Sequence, residues 1–227
     1  MNTAKCRFSY GKEICIMETI TYRPIEEKDY LSVGEIINQA FGLYRYVADE
    51  KVLKCFKQQY VYSCLSEATY TLVAEQNDKV IGVIMGNAKS DYTVLAHLKE
   101  MLFTFGYGIK MKYHGRKSKV GIEDYKRLHE IYHNFSRKHK GEFDGVLTLF
   151  AVNENCRGLG VGKKLLAGLL EYLKKQDVKH IYLYTDTTCN YGFYEYQGFE
   201  RLEEQSIVLT KDGHSFDMDV FLYGYFV

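Results

Sequence analysis

The sequence has little of what marks a domain boundary, a membrane anchor or a binder of polyanions. It contains one proline, Pro24, and no stretch rich in Pro, Ser or Gly, so nothing indicates a linker. No apolar run approaches the roughly 18 residues that span a bilayer, and the first 20 residues are too polar for a secretory signal. The formal net charge of +1 gives no overall field that would attract nucleic acid or an anionic membrane.

The cysteines follow no spacing that is typical of a disulfide framework or a redox motif. The six cysteines form no C-x-x-C pair and no dense framework, which is typical of free thiols in a reducing cytosol. With 227 residues, 46% of them hydrophobic and 26% charged, the chain can bury one sizeable core. We therefore expect a cytoplasmic, single-domain enzyme or binding protein, with neither a nucleic acid nor a membrane as partner.

Residue periodicity predicts strands and helices along most of the chain after an N-terminal extension, residues 1–17. Asp29 is a candidate cap for the first helix, Asn77-Asp78-Lys79 predicts a hairpin turn, and Lys211-Asp212-Gly213 predicts another. The predicted strands are 20–25, 69–76, 80–89, 145–152 and 180–186, and the helices are 30–41, 50–65 and 163–175. Residues 91–141 are helical in period. The pattern predicts α/β content of the α+β type, with a mixed, mostly antiparallel sheet flanked by helices.

The segment HEIYHNFSRKH, residues 129–139, resembles a zinc site because His129, Glu130 and His133 fit H-E-x-x-H and His139 follows. The longer metalloprotease pattern requires glycine where this chain has Ser136, since that turn needs a positive φ. Both His129 and His133 also flank an apolar helical stripe, as hydrogen-bonded surface histidines do. A zinc hydrolase is therefore the weakest of the functions considered, and we expect no metal ligands.

The glycine-rich loop RGLGVGK, residues 157–163, joins a predicted strand to a leucine-rich helix. Glycines at a helix N-terminus leave backbone N–H groups open, and the helix dipole adds positive charge, so such a loop can hold a diphosphate. The glycine spacing G-x-G-x-G differs from the Rossmann fingerprint. Gly162-Lys163-Lys164 differs from the P-loop.

Two motifs together resemble the GNAT superfamily of N-acetyltransferases. Arg157-x-x-Gly160-x-Gly162 after a strand is similar to the family's acetyl-CoA loop, and FYEYQGF, residues 193–199, is similar to its F-Y-E-x-x-G-F. The segment 20–41 is similar to the family's first strand and helix, so the resemblance covers about residues 18–227. It implies a GNAT-like fold with a helical acceptor-side insert at about 91–141.

The resemblance also implies roles for individual residues. Acetyl-CoA would be the co-substrate, and acetyl would pass directly to a primary amine in a ternary complex. Tyr194 takes the position of the general acid, and a phenol stays protonated at neutral pH. The implied cofactor-binding residues are Phe150, Ala151, Val152, Arg157, Gly158, Leu159, Gly160, Val161, Gly162, Lys163, Asn190 and Tyr194.

Other positions depart from the family pattern or leave a role open. Thr187 stands where many members carry Asn, which leaves Asn190 as the candidate contact, and Tyr196 replaces a frequent Lys. Glu154 is a weak candidate for the general base, by position only. Further base candidates by position are Glu142 and Asp144, whereas Cys189 is interpreted as a structural thiol because the family transfers directly.

The acceptor remains open between a small-molecule amine and a peptide or protein amine. Aromatic residues of the insert could wall a pocket or pack a core, and its basic run at 110–119 is typical of a solvated loop. A non-catalytic, regulatory acyl-CoA-binding domain of the same fold is the alternative function. Homodimers are common in the family, and no residue pattern here fixes one.

Overall fold

A seven-stranded sheet in the order β1-β2-β3-β4-β5-β7-β6 forms the centre of the computed structural model, which describes residues 19–47, 49–114, 120–211 and 214–227. All neighbouring strands are antiparallel except β4 and β5, which are parallel. The strands are β1 Thr21–Arg23, β2 Tyr70–Gln76, β3 Lys79–Ala88, β4 Gly145–Val152, β5 His180–Asp186, β6 Glu200–Lys211 and β7 His214–Phe226. The predicted mixed, mostly antiparallel sheet is confirmed.

Six helices of the described chain flank this sheet. They are α1 Tyr30–Phe41, α2 Glu50–Glu67, α3 Leu98–His114, α4 Val120–Lys138, α5 Val161–Lys175 and α6 Gly192–Tyr196. The predicted helical span 91–141 contains α3, α4 and a short 3-10 turn, Val94–His97. The predicted extension 1–17 lies outside the described residues. No helix within the described ranges is long and apolar enough to cross a membrane.

Both faces of the sheet are covered. On one face, α5 buries leucines at helical spacing, among them Leu165, Leu169 and Leu173, against β2, β3 and β4. On the other face, α1 and α2 pack over β3 and β4, and α4 packs over β6 and β7. Helix α3 packs against α2. A gap thus remains on this second face between the α1–α2 pair and α4, opposite the boundary of β4 and β5.

Local predictions agree with the structure except near the first strand. Asn77 and Asp78 have φ of 53° and 58°, as the predicted hairpin turn requires. Strand β1 is shorter than predicted because Pro24 has no N–H to continue the ladder. Asp29 occupies the N-cap position of α1 as predicted, but its side chain makes no capping hydrogen bond, because the carboxylate accepts hydrogen bonds from Arg23 and from the Glu26 N–H.

Candidate active site

A cleft opens where β4 and β5 separate. Strand β4 pairs with β3 from Gly145 to Val152, but it pairs with β5 only at Gly145 and Val146. Both strands continue beyond that point without further pairing between them in the described structure. The cleft occupies about 780 Å³ and is lined by the outer half of β4, the glycine loop and α6 on one side, and by α1, α2 and α4 on the other. One edge of β4 is therefore free to pair with a bound ligand.

A bulge at Thr148 sets the direction of the side chains along β4. Met85 faces Leu149 and Gly86 faces Leu147, so Thr148 is the extra residue. Beyond the bulge, the side chains of Leu149 and Ala151 pack on the α1–α2 side, whereas Leu147 packs on the α5 side. The Thr148 hydroxyl lines the cleft and is buried without a partner among the described residues. A buried hydroxyl without a partner suits a polar ligand group.

The glycine loop presents open backbone to the same cleft. Gly158 and Gly160 adopt left-handed φ values of 79° and 76°, and a Cβ at either would meet nothing within 4 Å. Helix α5 begins at Val161, so its unpaired N–H groups and positive dipole end face this open space. Arg157 and Lys163 also line the cleft and are exposed. The arrangement suits a diphosphate.

Most of the predicted cofactor-binding residues meet at this cleft. Phe150, Ala151, Val152, Arg157, Gly158, Gly160, Val161, Gly162, Lys163, Asn190 and Tyr194 all line it. Leu159 points away and is 46% exposed. Thr187, at the departure from the family pattern, is not among the lining residues, because its hydroxyl accepts the Asp219 N–H. Asn190 is exposed at the rim of the cleft. Within the described residues, its side chain makes no hydrogen bond that would compete with a ligand.

Tyr194 lies at the centre of the cleft wall, on α6. Its side chain is only 8% exposed and packs near Phe150 and Phe199, with ring centroids at 6.2 and 5.6 Å. Burial, reinforced by the proximity of Cys189 and of the Asp186 carboxylate, raises the pKa of the Tyr194 phenol well above its usual value. The phenol is therefore protonated throughout the neutral range and can donate its proton to a departing thiolate.

Cys189, next to Tyr194 in the cleft, is poorly suited to be a nucleophile. Burial raises the pKa of its thiol to about 12, so the reactive thiolate is scarce at neutral pH. This agrees with the interpretation of Cys189 as a structural thiol.

The three base candidates named by position lie away from the cleft. Glu154 is exposed in the turn Glu154–Cys156 and is not among the lining residues. The Asp144 carboxylate, at the opposite end of β4, accepts the N–H groups of Lys179 and His180. Glu142 interacts with His139 at 2.7 Å.

Two further titratable residues line the cleft: Glu67, which sequence reasoning missed, and His129, which the sequence indicated only as a candidate zinc ligand. Glu67, in the last turn of α2, is open to solvent at the cleft, and the protein atoms around it raise the pKa of its carboxyl by partial desolvation. His129, on α4, has its pKa lowered by burial. Burial raises the pKa of the Tyr182 phenol to about 12, with smaller contributions from Tyr184 and from Glu67, which therefore lies near Tyr182. Tyr182 is the last β5 residue paired with β4, so Glu67 lies near the point where the strands separate.

The histidines of HEIYHNFSRKH do not converge. His139 interacts with the carboxylates of Glu142 at 2.7 Å and Glu203 at 3.2 Å, and these contacts raise its pKa. Both ring nitrogens of His139 therefore face carboxylates. His129 lies at the cleft beside Tyr132, whereas His133 is exposed. Within the described ranges no group of three or more His, Cys, Asp or Glu is placed to hold a metal ion.

Comparisons with known proteins agree with this geometry. The model of the Acetyltransferase (GNAT) family matches residues 35–199, which include the glycine loop and α6. No curated protein gave a significant sequence match.

Several solved structures share the fold at low sequence identity. The ribosomal-protein-alanine N-acetyltransferase from Brucella melitensis is 17% identical, with a TM-score of 0.52 over 91% of this chain and 99% of that one. An N-acetyltransferase from Staphylococcus aureus Mu50 is 12% identical, with a TM-score of 0.53 over 92% and 98%. Arabidopsis thaliana NAA60, solved with a bisubstrate analogue, is 16% identical, with a TM-score of 0.51 over 92% and 98%. The chain thus belongs to the GNAT family of acetyltransferases.

Proposed function

We propose that this protein transfers the acetyl group of acetyl-CoA directly to a primary amine bound in the same cleft. The observation that carries the proposal is the convergence of three features: the unpaired edge of β4, the open glycine loop at the start of α5, and the protonated phenol of Tyr194. Acetyl-CoA supplies the activated thioester, and its shape fits the free strand edge and the open loop.

The loop and the strand would bind and orient this co-substrate. Backbone N–H groups between Gly158 and Lys163 would hold the diphosphate, with Arg157 and Lys163 adding charge. The free edge of β4 from Phe150 to Val152 would pair with the amide-containing arm as an added strand does. A backbone N–H on that edge would polarise the thioester carbonyl.

Proton transfers would be shared between two residues on opposite sides of the cleft. The ammonium form of the amine loses one proton to the Glu67 carboxylate, which lines the cleft and whose pKa is raised from its ordinary value by desolvation. The amine nitrogen then bonds to the acetyl carbon as the carbon–sulfur bond breaks. The departing sulfur takes the Tyr194 proton, the nitrogen passes its second proton through water to the resulting phenolate as the amide forms, and Glu67 releases its proton to solvent.

The acceptor half of the cleft is aromatic and carries negative charge. Phe41, Tyr46, Tyr60 and Tyr132 wall it, and Glu67 and Asp186 contribute its carboxylates. These groups favour a cationic amine with an apolar portion over an anionic acceptor. Both a small molecule and the end of a peptide fit this description.

The test follows the release of coenzyme A thiol from acetyl-CoA in the presence of a panel of small amines and peptides with free N-termini. We expect release with at least one cationic acceptor, and Tyr194→Phe should slow it by about 10²-fold or more while sparing acetyl-CoA affinity. Tyr191→Phe is the matched control, since Tyr191 neighbours the cleft but does not line it. Tight acetyl-CoA binding with no thiol release from any amine would instead identify a non-catalytic binding domain.

A further inference from the structure

Helix α3 has two apolar faces, and only one of them is covered. Its inner face packs against α2: Tyr62 stacks on Phe103 with ring centroids at 4.8 Å and on Tyr107 at 5.8 Å. Met111, one turn further along this face, joins the core beneath α1 and α2. The inner face therefore accounts for how α3 is held on the protein.

The outer face carries a continuous apolar row, which we call the α3 stripe. Its members and their exposed fractions are Leu95 87%, Leu98 50%, Leu102 64%, Phe105 68%, Ile109 53% and Tyr113 71%. At 100° per residue, the five helical members fall within an arc of about 80°, opposite Tyr107 and Met111. Single exposed apolar residues are ordinary, but a contiguous row of this length marks an interaction surface.

The charges that α3 itself contributes beside the stripe are of one sign, and Glu27 outside the helix pairs with Lys99. The sequence contains no Asp or Glu between residues 101 and 122. In the same span it contains Lys110, Lys112, Arg116, Lys117 and Lys119, the last three of which lie outside the described residues. The one acid of α3, Glu100, is half-buried near Tyr30 and Tyr62 on the inner side.

This charge pattern decides between possible occupants. A second copy of the chain packed on the stripe would bring two basic segments together without acidic partners, which is unfavourable. An anionic lipid surface complements the lysines and accepts the apolar side chains. A helix with a wide apolar face and flanking Lys or Arg is the form that lies in a membrane interface.

We propose that α3 docks the protein on anionic lipid membranes, with the α3 stripe inserted among the acyl chains and the exposed Lys110 and Lys112 facing the headgroups. The expectation of no membrane partner rested on the absence of a spanning segment and on the net charge of +1. Neither property bears on a local amphipathic surface. The contact is peripheral, and salt weakens it.

The test measures flotation of the purified protein with vesicles of phosphatidylcholine alone and of phosphatidylcholine mixed with phosphatidylserine. We expect binding to the mixed vesicles only, reduced by salt. The variant L102E/F105E should lose binding at least about tenfold, and K110E/K112E should do the same through charge. Leu31→Glu is the matched control, because Leu31 is a helical leucine of equal exposure, 63%, located on α1.

Two results would overturn the proposal. One is failure of the wild-type protein to bind the mixed vesicles, or equal binding by L102E/F105E. The other is a wild-type dimer in sedimentation velocity that L102E/F105E converts to monomer, which would assign the stripe to a second copy. Circular dichroism of each variant confirms folding, which we expect to be retained because the substituted side chains are exposed.

Discussion

Replacing Gly160 by alanine has two effects that can be measured apart. One is the loss of ligand binding by the glycine loop, and the other is the backbone strain of a residue with a side chain at positive φ. Gly160 has a φ of 76°, where an L side chain costs about 1–2 kcal/mol, and the loss of glycine entropy in the unfolded chain offsets about 0.4–1 kcal/mol of that. No atom lies within 4 Å of the added Cβ, so no steric term is added. The free energy of unfolding should therefore fall by about 1 kcal/mol, or Tm by about 2–4 °C.

Gly141 provides a matched control for this substitution. Its φ is 90°, a Cβ there also meets nothing within 4 Å, and it does not line the cleft. Gly141→Ala should thus cost the same stability as Gly160→Ala. Only Gly160→Ala places a methyl group where the diphosphate would lie. Losing one charge-assisted hydrogen bond, worth about 1.5–3 kcal/mol, should weaken acetyl-CoA binding about 10- to 100-fold.

Thermal unfolding and isothermal titration with acetyl-CoA measure the two effects separately. The reasoning predicts equal shifts in Tm for the two variants, with weakened acetyl-CoA binding in Gly160→Ala alone. Equal affinities of the two variants for acetyl-CoA would refute the assignment of the loop as the diphosphate site. A much larger loss of Tm in Gly160→Ala would show instead that its Cβ clashes with the protein.

Two other changes have defined outcomes. Glu67→Gln should lower kcat/KM and abolish the increase of kcat/KM with pH. The proposed base acts as a carboxylate, and desolvation in the cleft raises the pKa of Glu67 from its ordinary value. An unchanged pH profile of thiol release would assign the base elsewhere. Arg23→Met should lower the free energy of unfolding by about 3 kcal/mol in urea titrations, since it leaves the buried Asp29 carboxylate and the half-buried Glu75 carboxylate without their cation. Burial alone would raise the pKa of Asp29, but hydrogen bonds from Arg23 and the Glu26 N–H lower it. The wild-type protein should therefore keep this contribution above about pH 4 and lose it as the pH falls through the lowered pKa; a stability difference between wild type and Arg23→Met that persists undiminished below that pH would contradict this.

Much of the fold follows from local patterns in the sequence. Strands β4 and β5 and helix α1 have the predicted bounds, because alternating β-branched residues and 3.6-residue periodicity are strong local preferences. The glycine loop and α6 were placed by their motifs, and the structure brings them to one cleft. Each of these elements is short, and its conformation is determined mainly by its own residues.

The general base and the acceptor wall could not be predicted in the same way. Glu67 ends a helix more than 80 residues before the glycine loop, and only the packing of α2 over β4 brings it to the cleft. Glu154 was nominated because it is near the motif in sequence, yet its turn leads the side chain into solvent. The bulge at Thr148 depends on the register with β3, which is also a property of the assembled sheet. Sequence proximity is thus a poor guide wherever tertiary contacts decide the environment.

The most direct test of the account follows acetyl-CoA labelled in its acetyl carbon through one turnover with the best acceptor from the amine panel. Direct transfer predicts that the label appears on the amine in a one-to-one ratio with released thiol, and that no label is found on the protein at any time. Label trapped on the protein, at Cys189 or elsewhere, or thiol release without an acetylated amine, would contradict the proposed reaction.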